Sequence, residues 1–295
     1  MNLSPEVLLV GYSLAIALLS LAGGLLPDWV HMTHTRTQLV MSFVSGLMLG
    51  VAFYHLLPHS IALQPEGAPA ADVSVWWLMI GLITMLLLLR MFHFHQHDFS
   101  EHDHDHDHGH DHDHLVAEAP EPAHAPVMPA VNKLSWVGLA LGLGVHTLID
   151  GVALGAVLQV EIGHVAGLAG VGVFLAILLH KPLDAMSITT MMQAGGWSRR
   201  SRAIANLGFA LLCPLGAVLL FFGVDLMGEA RHYAVAVALA FSAGAFICIA
   251  LSDLLPEVHF HSHDRGKLTL AFVIGISLAY AIGGLEPASA HLHGG

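Results

Sequence analysis

Charge is what this chain has least of: 11% of its 295 residues are Asp, Glu, Lys or Arg, against about 25% in an ordinary soluble domain. With 55% hydrophobic residues and a mean hydropathy of +0.69, that deficit excludes a water-soluble globular protein and points to the membrane class. Cysteine is scarce too. Cys213 and Cys248 both fall inside apolar segments, which excludes a disulfide framework. Lysine and arginine together number ten, and none of them forms a basic patch with interleaved aromatics, so nucleic acid is excluded as a partner. The alternating segments of a membrane β-barrel are missing as well. So are the basic n-region and small-residue cleavage site of a signal peptide: MNLSPEVLLVGYSLAIALLSLAGGLL reads as a first span.

What is present is a series of apolar runs ended by turn residues or charges. They predict eight transmembrane helices over 5–26, 38–62, 73–92, 133–159, 165–192, 203–224, 233–257 and 268–285. Eight basic residues flank or occupy the loops after spans 1, 3, 5 and 7: Arg36, Arg90, Lys133, Arg199, Arg200, Arg202, Arg265 and Lys267. Only Arg231 lies on the other face. The positive-inside rule therefore predicts both termini outside and the long 93–132 loop in the cytoplasm.

Span 2 and span 7 share a pattern. Residues 43–59 and 241–257 are identical at six of seventeen positions, including the run Leu-Leu-Pro. Span 2 runs outward and span 7 inward, so the repeat is inverted: spans 1–3 (1–92) and 6–8 (193–295) enclose a central pair, spans 4–5 (133–192). We thus expect an all-α integral membrane protein with a 3+2+3 inverted repeat, an arrangement typical of secondary transporters. It places His55 and His59 on the outer side and Asp253 and Glu257 on the inner side, where cations would come in and leave. Polar groups that merely snorkel to the interface would read the same way.

The chemistry concentrates in the central pair. HTLIDG puts His146 and Asp150 one turn apart on span 4, and LLHKPLDAM puts His180 and Asp184 one turn apart on span 5. A charge at the centre of a membrane helix costs roughly 2.5–3.5 kcal/mol, so two such pairs need a purpose. Facing each other, they offer two imidazoles and two carboxylates, a set suited to Zn²⁺ and acceptable to Fe²⁺, Mn²⁺ or Cd²⁺. Buried ion pairs holding the helices in register are the plainer alternative. Pro182 removes a backbone donor beside the site and loosens the helix there.

These residues carry a resemblance. Eight spans, a histidine-rich loop between spans 3 and 4, HLLP in span 2, HTLIDGVALGA in span 4, HK in span 5 and FSAGAFICIALSDLLPEVHFHSH in span 7 make the chain similar to the ZIP (Zrt/Irt-like) divalent metal transporters, in the branch whose span 5 motif begins His-Lys. The resemblance implies Zn²⁺ transport through His146, His180 and Asp184 with Asp150 one turn on, and Met48 beside the site as a soft thioether donor or a core residue. It also implies no organic cofactor and a homodimer, for which GLALGLG (138–144) permits close packing. Many members carry an acid where Lys181 stands, and it bridges a second metal. Thr147 replaces a frequent Asn or Ser, and span 6 offers no carboxylate for such a second ion. Lys181 is accordingly expected to supply that second positive charge permanently.

Ten histidines lie between His93 and His114. His102, His104, His106, His108, His110, His112 and His114 are interleaved with acids or glycine, and His259, His261 and His263 repeat the theme after span 7. Without a fixed spacing they predict weak, exchangeable metal capture in a disordered cytoplasmic loop. The function expected is uptake of Zn²⁺ into the cytoplasm across a bacterial inner membrane or a plasma membrane, with no enzyme activity. Two rivals stay open: an intramembrane zinc hydrolase, which has no HExxH here, and a metal sensor or exporter.

Overall fold

The computed structural model describes residues 4–25, 34–65, 67–92, 135–160, 170–254 and 265–283. Among these the regular structure is entirely helical, as a chain must be when the bilayer offers its backbone no hydrogen bonds. The helices are α1 (Pro5–Leu25), α2 (His34–Val51), α3 (Leu57–Ala62), α4 (Ala70–Phe92), α5 (Ser135–Val160), α6 (Val171–Ala194), α7 (Arg199–Gly223), α8 (Arg231–Ile249) and α9 (Arg265–Gly283). Seven helical stretches are long and apolar enough to cross a membrane. One of them runs 54 residues, Arg199–Ser252, about 80 Å at 1.5 Å per residue, against a hydrocarbon core of about 30 Å. It bends between α7 and α8, where Gly228 adopts φ 56° and ψ −122° within a tighter turn, Val224–Ala230.

Several helices begin before the apolar run does. Thr35 to Thr37, Arg199 to Arg202 and Arg265 to Lys267 are all helical, because a charged first turn can extend into the headgroup region without breaking the hydrogen-bond ladder. Ser198 caps α7, its hydroxyl accepting from the Ser201 amide at 3.1 Å. Two wide π-turns interrupt the helical run, at Ala52–Leu56 between α2 and α3 and at Ala250–Leu254 after α8. Pro58 explains the first: it has no amide to give the Tyr54 carbonyl, and the widened turn absorbs the defect. The second lies at the same offset within the sequence repeat, where Pro256 corresponds to Pro58.

Packing repeats with the turns. Gly46 of α2 lies against the backbone of Phe272 on α9, and Gly275 of α9 against that of Phe43. In the same way Gly244 of α8 lies against Leu78 on α4, and Gly81 of α4 against Phe241. Any Cβ at these four glycines would collide with the neighbouring backbone, so each pair of helices touches main chain to main chain. The remaining long helices form a second set, α1 on α6 and α7, and α5 on α7. The central helices α5 and α6 therefore do not stand apart as a pair; they are built into a group with α1 and α7.

Candidate metal centre

Midway along α5 and α6 four donors meet. His146 and Asp150 come from α5, His180 and Asp184 from α6, and one ligand atom of each lies within 4.8 Å of all the others. The i,i+4 spacing on each helix does this, since residues one turn apart share a face. His146 Nε2 is 3.3 Å from Asp150 Oδ2 and 3.6 Å from Asp184 Oδ2. His180 Nε2 is 3.1 and 3.8 Å from the same two oxygens. An ion bonded at about 2.1 Å to four tetrahedral donors separates them by about 3.4 Å, and the four nitrogen–oxygen distances straddle that value.

Hydrogen bonding explains why such a set invites a cation. His180 Nδ1 is 2.7 Å from the Ala176 carbonyl, which can only accept, so Nδ1 carries the proton and the Nε2 lone pair turns toward the carboxylates. Neither ring nitrogen of His146 makes a hydrogen bond, and Asp150 Oδ1 is likewise buried without one. Unpaired polar atoms at this depth cost free energy unless something positive sits among them. The two imidazoles are stacked, with centroids 5.3 Å apart and planes at 28°. His146, Asp150 and His180 are at most 1% exposed, and Asp184 is 12% exposed.

One positive charge is built in. Lys181, also 1% exposed, places Nζ 2.5 Å from Asp150 Oδ2 and 3.0 Å from Asp184 Oδ2, and donates to Thr147 Oγ1 at 3.0 Å. Its ammonium lies 5.7 Å from the ring centroid of Phe209 on α7. Phe209 belongs to a small apolar cluster with Leu139, Leu143, Ala185, Ile188 and Met192, separate from the main core. The expectation drawn from the sequence contained no contact from α7. The stripe Thr147, Gly151, Gly155 marks a face of α5 for close packing, but nothing in it names the partner helix.

The other expected residues fall elsewhere. Met48 is wholly buried in the main core. His55 and His59 are also buried, at 1% and 5% exposure, and His55 Nε2 donates to the Ala279 carbonyl at 2.8 Å. Asp253 lies in the second π-turn, where only its backbone is described. Glu257, His259, His261, His263 and the loop histidines His102 to His114 lie outside the described residues.

The chain is similar to known proteins. The family model described as "ZIP Zinc transporter" matches residues 7–283. Zinc transporter ZIP9-B of Xenopus laevis is 35% identical over 157 residues, 51% of this chain and 48% of the relative. Zinc transporter ZIP9 of Micropogonias undulatus is 35% identical over 140 residues, 45% of this chain and 44% of the relative. Metal cation symporter ZIP14 of Xenopus tropicalis is 30% identical over 158 residues, 52% of this chain and 32% of the relative. The matches thus cover less than half the length of these relatives. The family match itself takes in every helix of the fold and both halves of the four-donor cluster, and on that ground the chain belongs to the ZIP zinc transporter family.

Proposed function

We propose that the protein carries divalent metal ions, Zn²⁺ foremost, across a bacterial inner membrane or a plasma membrane into the cytoplasm, binding them between α5 and α6 at His146, Asp150, His180 and Asp184. The observation that carries this reading is the His180 ring: its proton is committed to Ala176, and its lone pair faces two carboxylate oxygens that repel it unless a cation intervenes. The same donors accept Fe²⁺, Mn²⁺ and Cd²⁺. Zn²⁺ is preferred because two imidazoles and two carboxylates at these separations suit a tetrahedral ion without a ligand-field preference. Hydrolysis is the weaker reading, since the family is one of zinc transporters.

Alternating access follows from an eight-span, 3+2+3 inverted repeat. The matched π-turns at Ala52–Leu56 and Ala250–Leu254, and the duplicated glycine contacts of α2 on α9 and α8 on α4, support it. The donors sit wholly in the group formed by α1, α5, α6 and α7, so that group moving against α2, α4, α8 and α9 would turn the site from one side to the other. Ions come in past His55 and His59, with Met48 deeper along α2. They leave past Asp253, Glu257, His259, His261 and His263, beside the loop histidines. Basic residues put both termini outside, and two copies associate through small-residue faces.

The test is ⁶⁵Zn²⁺ flux in proteoliposomes of sided orientation, wild type beside His180→Ala. Inward movement that the variant lacks supports the proposal. Outward movement makes the protein an exporter, and absence of flux with retained binding makes it a sensor.

A further inference from the structure

Helices α5 and α7 pack in parallel at one constant register. Gly151 lies against the carbonyl of Cys213, Gly155 against that of Ala217, and Gln159 donates to that of Phe221, each pair 62 residues apart. One turn earlier the same register sets Thr147 opposite Phe209. Those two residues bracket the Lys181 ammonium: Thr147 Oγ1 accepts from it at 3.0 Å, and the Phe209 ring lies 5.7 Å away. The three N–H groups of the ammonium are thereby spent on Asp150, Asp184 and Thr147, and an aromatic face covers a further side. Phe209 is 5% exposed, so this cation–ring contact is made out of water, where it is strongest.

We infer that Phe209 is the positioning residue that holds the Lys181 ammonium on the α7 side of the two carboxylates, outside the volume the transported ion needs, so that the ion joins a resident ammonium and does not have to displace one. Thr147 and Lys181 each follow a histidine donor by one residue, so they project about 100° round their helices from the His146 and His180 faces. The ammonium and the metal thus approach Asp150 and Asp184 from different directions. Without the ring, the ammonium has a better place to go. Asp150 Oδ1 is buried with no hydrogen bond, and a lysine side chain is long enough to swing toward it and toward the imidazole lone pairs. There it would compete with the ion for the same oxygens. An aliphatic residue at position 209 keeps the apolar volume and loses the negative ring face.

The inference rests on the metal-site reading above, and the experiment separates the two. Zn²⁺ affinity at the centre is read as the difference between the titration of each full-length variant and that of the same variant carrying His180→Ala, which cancels the loop histidines; Zn²⁺ uptake is followed in parallel. Phe209→Leu should weaken the centre, and raise the KM for uptake, by about tenfold, the scale of a desolvated cation–ring contact. The maximal rate should change much less. Phe209→Tyr should bring affinity back near wild type. In a Lys181→Met background, Phe209→Leu should have no further effect. Wild-type affinity in Phe209→Leu, or the same weakening with Lys181 removed, overturns the inference and leaves Phe209 a packing residue. A wild-type chain that binds but does not move Zn²⁺ sinks the transport reading alone, and the binding comparison still judges Phe209. A wild-type titration no different from that of His180→Ala overturns both.

Discussion

His55 and His180 are buried alike, each 1% exposed, and each donates one ring N–H to a backbone carbonyl. They differ in what the rest of the ring meets. His180 bonds its own helix at Ala176 and turns its other nitrogen to Asp150 Oδ2, 3.1 Å away. His55 bonds a different helix, at Ala279, and its ring sits so near Gly172 that a Cβ there would come within 3.0 Å of it. One ring keeps a nitrogen turned toward a carboxylate. The other ties the Ala52–Leu56 turn to α9 and sits against α6. Burial and residue type are the same in both cases, so the role proposed for His180 rests on the nitrogen it turns toward negative charge.

The hardest blow to that contrast comes from the donors themselves. His180→Ala or Asp184→Ala should lower Zn²⁺ uptake by more than about 100-fold, beyond the 10–100-fold that losing a supporting group around a metal costs, while circular dichroism and monodispersity in detergent stay unchanged. Near-normal uptake by both variants would remove the centre from the transport path.

Next in size is Lys181→Glu. It exchanges the resident ammonium for a third carboxylate among Asp150, Asp184 and the two imidazoles. Breaking a buried pair in this way leaves uncompensated charge, at a cost of about 3–5 kcal/mol, which a second divalent ion can offset. The His180-dependent Zn²⁺ stoichiometry should rise from one to two per chain, with transport slowed or lost. Unchanged stoichiometry and rate would show that Lys181 carries no charge role.

His55→Leu should do far less. It removes one buried hydrogen bond of about 1 kcal/mol, so a conformational step resting on it shifts about fivefold. Uptake rate should move by that order, and the His180-dependent affinity should not move. A fall in affinity as large as that of His180→Ala would make His55 a ligand after all.

These contrasts also mark what the sequence could carry. Apolar runs located the long described helices, because nothing but a helix satisfies a backbone in lipid; most ends fall within about a turn, but α6 begins at Val171, six residues after its run, and the breaks at Ala52–Leu56 and Ala250–Leu254 were not foreseen. His146 with Asp150, and His180 with Asp184, were legible because periodicity alone puts residues four apart on one face. Phe209 was not, since its part depends on which helix lies against Thr147, Gly151 and Gly155, a tertiary fact with no local pattern. The seat of His55 was hidden for the same reason: HLLP reads identically whether the ring faces a pore or a carbonyl. Lys181 fell between these cases. Its place next to a donor was visible, its three hydrogen bonds were not.

The smallest effect is expected from the loudest sequence feature. Removing residues 95–125 takes away nine of the ten histidines between His93 and His114, leaving His93 and one end of the chain's own linker, and it spares Arg90 and Lys133, the two basic residues beside that loop on which the proposed orientation rests. Topology should therefore survive. The histidines alternate with acids at no spacing that fixes a coordination geometry, so each ion they hold can leave as readily as it came. The four central donors, by contrast, are fixed on two packed helices at separations an ion can span. Total Zn²⁺ bound per chain should drop sharply on deletion, yet the His180-dependent part should stay and uptake should remain within about twofold, less than half a kcal/mol in the barrier. Complete loss of uptake would mean that ions reach or leave the centre only by way of the loop. The distinction between donors fixed by helix packing and donors supplied by composition would then no longer separate the transport site from its accessories.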